Sequence, residues 1–407
     1  MKSMLSNIKH AFRSLAAVLS LLLVGTGIFA QSAIEEALFA NGFENVRHIS
    51  KAGKEIIFIE SESFTHGDRV VESVKNAVET LIPEFKSKNI EVILMEERIP
   101  KFRLYSTLAD DPSSSRWYSD FNVEEGIAAL NDIDGKKFEN SSFGKVDLKF
   151  YPIFRFKNSR LDVMYLLQLN INPTLEISLW RGATATAQVI FPLLNDYSTE
   201  EGRIRPGFLT LSQQFRLPFN IHAMATVGNF NMFRAGADLK LYKPVGSRTG
   251  VYAQLSYTAY SVPFFNDWYY TNPDKFTWKV GANYIVKPWN LMFNLNLAKY
   301  LGNDLSVRGE VTRYFRNAAV GFYVQTMDIP DFPVNGGFYF AISLPPYKHK
   351  RNKFVRVSAG NYFPLEYIAR PYTEHGRYFT TSPDENSSYN FFTKMRLNQI
   401  ILNSTNN

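Results

Sequence analysis

Between Trp117 and Leu344 the chain is a succession of strand-length segments in which apolar and polar residues alternate. In Gly250 to Tyr260, Val251, Ala253, Leu255 and Tyr257 fall on one face, and Tyr252, Gln254, Ser256 and Thr258 on the other. That period of two is a strand's and not a helix's. Thr174 to Trp180, Phe233 to Leu241, Leu291 to Leu297 and Gly337 to Leu344 alternate in the same way. A soluble antiparallel sheet with one wet face gives the same alternation, so the period alone does not choose the solvent. Segment lengths of about ten residues, their number and the aromatic residues at their ends favour tilted strands that cross a bilayer. The expected fold is mainly β: an antiparallel transmembrane β-barrel of about 14 strands (range 12–14) in an outer membrane, with a small N-terminal α/β domain on its periplasmic side.

At the N-terminus Lys2, Lys9 and Arg13 precede an apolar run, Leu15 to Phe29, that ends at Ala30. This is the layout of a secretory signal, so residues 1–30 are expected to be absent from the mature chain. A retained anchor is the alternative, but the run is short for a hydrocarbon core of about 30 Å. The chain has no cysteine, which excludes a lipoprotein anchor, a disulfide and a thiolate metal site together. Without the three signal bases, 42 basic residues face 38 acidic ones along the whole chain, which gives no reason to expect nucleic acid. Aromatic residues reach 15%, the composition that a lipid-facing surface with two aromatic girdles requires.

Residues 31–110 form the expected α/β domain. A helix over Ile34 to Ala40 stops at Asn41-Gly42, and Val46 to Ser50 with Glu55 to Glu60 make a hairpin. Asp68 caps a helix through Leu81, whose Val71, Val74, Val78 and Leu81 line one face. Strands follow at Ile90 to Met95 and Phe102 to Tyr105. Whether this domain binds a partner or only packs is left open.

Asp110 to Ser115 is a turn-rich linker to the expected barrel, residues 116–344, whose first strand is Trp117 to Val123. Leu161 to Ile171 and Thr174 to Trp180 count as two separate strands. Long connections at Asn131 to Lys145, Asn195 to Arg205, Ser261 to Lys275 and Met327 to Gly336 fall on one side, and short turns such as Arg181-Gly182 and Arg316-Asn317 on the other. The barrel closes at Gly337 to Leu344, and residues 345–407 become a periplasmic extension.

The polar face of these strands places Glu176, Ser178, Gln188, Gln214, Arg216, Asp238, Lys240, Gln254, Asn294, Asn296, Arg308, Glu310, Tyr323 and Gln325 towards the lumen. Mixed charges, amides and tyrosines suit a passage for hydroxyl-rich sugars. The alternative is a plugged interior whose charges pair with one another. No catalytic, cofactor-binding or metal-binding residue stands out, and the chain is expected not to be an enzyme. Its six histidines lack metal spacing, and Asp132-Ile133-Asp134-Gly135 begins a calcium loop that the following residues do not complete. A carboxylate pair for glycoside hydrolysis, distant in sequence and close in space, stays open.

Glu310 to Asp328, containing Arg313-Tyr314-Phe315, a turn and Val320-Gly321-Phe322, resembles the YjbH/GfcD family of exopolysaccharide and capsule biosynthesis proteins. Gly337 to Pro345, Arg205-Pro206-Gly207, Asp238 to Pro244 and Gly42 to Val46 are similar to that family's elements. Two departures stand beside the likeness: family members are often much longer, and Ala298-Lys299-Tyr300 replaces an expected glycine. The resemblance implies an outer-membrane protein of polysaccharide export, with lipid, a polysaccharide and periplasmic export proteins as partners, the last docking on the N-terminal domain. A general porin or small-solute channel, an outer-membrane enzyme and a tethering protein are the competing classes.

Overall fold

The computed structural model describes residues 33–385, except 52, 62–71, 75, 78–88, 108–115, 132–137, 139, 159–164, 316, 332, 347–348, 350, 353 and 361. The expected signal segment, the linker at 110–115 and Asp132 to Gly135 therefore lie outside the described residues. Most of the helix expected over 68–81 does too, and the described part is helical at 72–74 and 76–77.

The N-terminal unit is a five-stranded sheet in the order β1 (Glu44–Lys51), β2 (Lys54–Glu60), β3 (Asn89–Glu96), β4 (Ile99–Thr107), β5 (Arg116–Asp120). Only β2 and β3 run parallel, as the crossover between them requires. Helix α1 (Ala33–Ala40) sends Ile34 and Leu38 into a core with Val74, Ile57, Ile59, Val92, Phe102, Leu104 and Trp117. On the other face Ile56, Phe58, Ile93 and Met95 pack with Val123 and with Ala129 of α2 (Glu124–Asn131). Burial of both faces explains why β2 and β3 read as nearly unbroken apolar runs. Each fully buried Ile or Phe stabilises the unit by roughly 1.5–3 kcal/mol.

Trp117 to Val123 is thus not the first strand of the large sheet. Trp117, Ser119, Phe121 and Val123 turn inward on the small core, and β5 pairs with β4. Alternation marks a face to bury, but not the core that buries it. The connection at Asn131 to Lys145 is also at the small domain, since Asn140 donates to the Phe43 carbonyl at 2.8 Å and the Ser142 amide donates to Asn45 at 3.0 Å.

The second sheet has sixteen strands. Along the chain they are β6 (Val146–Asn158), β7 (Tyr165–Ser178), β8 (Ala183–Asn195), β9 (Arg205–Leu217), β10 (Ile221–Phe230), β11 (Arg234–Val245) and β12 (Thr249–Pro263). There follow β13 (Trp268–Tyr270), a short partner of the end of β12, then β14 (Lys275–Val286), β15 (Leu291–Lys299), β16 (Leu305–Tyr314), β17 (Ala318–Met327) and β18 (Val334–Ser343). Apart from β13, each pairs antiparallel with the next. The two segments expected around Asn172-Pro173 are one strand, β7. Its ladder to β8 passes from Ile171 opposite Phe191 to Thr174 opposite Gln188, skipping the proline that lacks a donor, while the ladder to β6 runs through.

The closed antiparallel barrel expected from the sequence is not what the chain forms. After β18 come β19 (Arg351–Asn352), β20 (Val355–Ala359) and β21 (Tyr362–Ile368), and the hydrogen-bonded path is open, ending at β19 and at β21. β20 lies parallel to the first half of β6, whereas β21 lies antiparallel to β18. One stretch of chain is divided between two edges, so β6 and β18 never exchange a ladder as closure demands. The sheet is nevertheless curled: Phe156 of β6 stacks on Tyr367 of β21 at 5.8 Å, although these strands lie near opposite ends of the path. Strands β19, β20 and β21 are therefore part of the sheet and not of an extension. Alternation resumes there, with Arg356 buried between exposed Val355 and Val357.

The faces of this sheet are the reverse of a soluble protein's. Leu255, Leu295, Phe322 and Val324 are 44%, 61%, 64% and 60% exposed, whereas their polar neighbours Gln254, Asn294 and Gln325 are at most 5% exposed. Tyrosines of the polar face lie against glycines of adjacent strands: Tyr242 on Gly250, Tyr252 on Gly281, Tyr339 on Gly321 and Tyr323 on Gly337. A Cβ at any of those glycines would collide with the ring, so glycine and aromatic are used as pairs that fill the curl.

Candidate functional site: a polar face with the C-terminal segment across it

Because side chains alternate, β11, β12 and β14 to β18 present their polar residues together on the inside of the curl. Asp238 accepts hydrogen bonds from Gln254 at 2.7 Å and Ser256 at 2.5 Å, and lies 3.9 Å from the Lys240 ammonium. Arg308 donates to Glu310 at 2.6 Å, stands 3.8 Å from Glu366 and stacks over Tyr323 at 3.5 Å. Asn294 donates to Glu310 at 3.1 Å and accepts from the Tyr252 hydroxyl at 2.8 Å. Asn296 accepts from the Tyr300 hydroxyl at 3.4 Å. The charges of this face are arranged in pairs of opposite sign, which is how charge is held away from water.

On the other strands, Glu176 accepts from Lys149 at 2.7 Å and Gln188 donates to Thr174 at 2.8 Å. Ser178, Gln214 and Arg216 belong to a different place, the junction with the small domain. Ser178 donates to Glu97 at 2.7 Å, and Gln214 accepts from Lys101 at 2.6 Å and donates to Glu96 at 3.2 Å. Arg216 donates to the Phe121 carbonyl at 2.9 Å and to the carbonyls of Pro100 and Lys101. Arg98 reaches the Leu179 carbonyl in the β7–β8 turn. The small domain is thereby seated on the end of the sheet that carries the short turns. Within it Arg103 is held protonated above its ordinary range by its hydrogen bonds to Asp120, against the opposing effect of burial.

The sequence pattern did not reveal what lies over the polar face. The chain leaves β21 at the end with the long connections and turns back across the inside. Tyr378 hydrogen-bonds Ser256 at 2.9 Å and Thr277 at 3.2 Å, and the Lys279 ammonium sits 4.3 Å from its ring. Phe379 stacks on Phe230 at 5.1 Å, Lys240 donates to Thr381 at 2.7 Å, and Asp384 accepts from Tyr151 at 3.0 Å. The sequence signal there is weak, since the aromatic pair Tyr378-Phe379 is one of two in the tail, the other being Phe391-Phe392.

Among the described residues no three His, Asp or Glu side chains are placed to hold a metal ion, and no helix is long and apolar enough to cross a membrane. No family model matches the chain, and no curated protein matches it. Among solved structures, a triple mutant of the Rhodopseudomonas blastica porin is similar over 49% of this chain and 90% of its own, at 11% identity and a TM-score of 0.28. A further mutant of the same porin covers 50% of this chain and 89% of its own, at 10% identity and a TM-score of 0.26.

Proposed function

We propose that this protein resides in the outer membrane, with lipid against the apolar face of its large sheet, and provides there a path for a polar solute. The reversal of faces carries this reading. Leu255, Leu295, Phe322 and Val324 belong to one continuous exposed apolar surface, while charged and amide side chains are sequestered inside the curl. In water that arrangement is unfavourable on both faces; against hydrocarbon the apolar face is at no disadvantage. The secretory layout of residues 1–30 supports the compartment.

Exopolysaccharide is the solute suggested by the resemblance to the YjbH/GfcD family, and the amides, hydroxyls and paired charges of the polar face are groups of the kind that hydrogen-bond a sugar. Periplasmic export proteins would then meet the small domain at the short-turn end. A general small-solute channel is the second reading, favoured by one feature: the paired charges give the face no bias for cations or anions.

Two measurements test these readings. Membrane fractionation should recover the protein only with detergent, and recovery as a soluble protein ends the membrane reading. Deletion, in a strain that makes an exopolysaccharide, should lower surface polysaccharide while its repeat unit is still synthesised. Unchanged surface polysaccharide ends the export role and promotes the small-solute channel.

A further inference from the structure

We propose that residues 370–384 are a resident plug, which must leave the polar face before a solute can use it. The proposal rests on the conduit reading above. Four observations lead to it.

The segment crosses the face broadly. Within fifteen residues it touches β6 through Tyr151, β11 through Lys240, β12 through Ser256, β14 through Thr277 and β17 through Gln325. A solute moving along the inside of the curl meets it.

It is held without a ladder. The amides of Leu301 and Gly302 donate to the carbonyls of Arg377 and Glu374 at 3.2 Å, and around them run contacts that pass through a side chain, among them the Gly376 and Thr380 amides donating to Asp304 at 3.0 Å and Asn231 at 2.7 Å, and Arg370 bonded to Asn335. It carries no strand, and so can withdraw without breaking the pairing of the sixteen-stranded sheet.

Its apolar seat is small and sits at one end. Phe379 packs with Phe230 and Leu301, with Met232 and Tyr378 alongside, all near the long-connection end opposite the small domain. The plug is therefore released from that side.

The groups beneath it suit a hydroxyl-rich replacement. Tyr378 covers Ser256, Thr277 and Lys279 with one hydroxyl and one ring, and Thr381 gives Lys240 another hydroxyl. A carbohydrate chain carries the same hydroxyl donors and acceptors, so it can take over these bonds as the segment leaves. The plug spares the buried polar groups the cost of standing unpaired in the absence of solute.

The absence of cysteine permits a direct test in the full-length chain. A Cβ built on Gly302 lies 2.8 Å from His375 Cγ, within reach of a disulfide in the double variant Gly302→Cys/His375→Cys. The second variant, Phe379→Ser, removes the apolar anchor. Both are purified from membranes with the wild type, and conductance is read in planar bilayers. Phe379→Ser should raise the open fraction about tenfold or more by removing a buried ring. The oxidised double variant should conduct below wild type and recover on reduction.

Equal conductance of oxidised and reduced forms, or failure of the two thiols to cross-link, overturns the plug. Membrane-extracted protein that stays silent in all forms overturns both plug and conduit, while leaving the membrane location standing. Recovery from the soluble fraction overturns the membrane reading and the plug with it.

Discussion

Lys101 of the small domain donates to the side-chain oxygen of Gln214 in the large sheet at 2.6 Å, a buried bond between residues 113 apart in the chain. Two residues on in β9, Arg216 holds the carbonyls of Pro100, Lys101 and Phe121. The same strand that contributes apolar side chains to the outer surface thus uses its last polar positions to seat the other unit. Arg216→Met should loosen that seat by about 3 kcal/mol or more, since each hydrogen bond to a charged donor contributes roughly 1.5–3 kcal/mol. Limited proteolysis should then release the small domain faster, with Arg216→Lys intermediate because an ammonium cannot make the fork. Release at the wild-type rate would show that docking does not depend on Arg216.

The solvent of the apolar face can be decided by one substitution. Leu295 is more than half exposed, so in water Leu295→Arg would change stability by only about 0.5 kcal/mol. Facing lipid near the midplane, it costs about 2–4 kcal/mol. We expect Leu295→Arg and Leu255→Arg to deplete the folded protein from membranes, with Leu295→Phe as an unaffected control. Normal recovery of both arginine variants would place the face in water.

Arg308 and Glu310 form a buried ion pair under Tyr323. Arg308→Met should destabilise by roughly 3–5 kcal/mol, because it leaves Glu310 charged and buried. Glu310→Gln added to it should restore most of the loss. Thermal unfolding of the two variants checks this, and a double variant as unstable as the single one would mean that the pair contributes more than mutual compensation.

Gly321 and Gly309 separate packing from backbone freedom. A Cβ at Gly321 runs into the buried Tyr339 ring, whose hydroxyl bonds Thr312, whereas a Cβ at Gly309 meets nothing within 4 Å. Gly321→Ala is expected to cost about 1–3 kcal/mol by overpacking, and Gly309→Ala to be neutral or stabilising by up to about 1 kcal/mol. Equal unfolding midpoints would show that the ring moves aside freely.

Strand positions and their two faces were written locally. Val251, Leu255, Leu295 and Val324 had to fall opposite Gln254, Asn294 and Gln325, because a strand's side chains alternate whatever surrounds it. Asp238, Lys240, Asn294, Arg308 and Glu310 fall on that polar face for the same reason, whereas Ser178, Gln214 and Arg216, expected beside them, turn to the junction with the small domain. What the alternation did not carry was partnership. Trp117 to Asp120 has the same local pattern as a strand of the large sheet, yet pairs with β4 of the small one. Pro173 looked like a strand end, yet lies within β7, where only one of two ladders is interrupted. The division of β20 and β21 between β6 and β18, which keeps the sheet from closing, depends on two edges brought together by the curl of all the strands between them. The seat of Tyr378 and Phe379 depends on groups from three strands, β10, β12 and β14, and on Tyr300 just beyond β15, which become neighbours only after that curl. Local periodicity follows from backbone geometry and is present in any short window of sequence; pairing, closure and the course of the tail are choices among distant partners, and only the tertiary structure makes them.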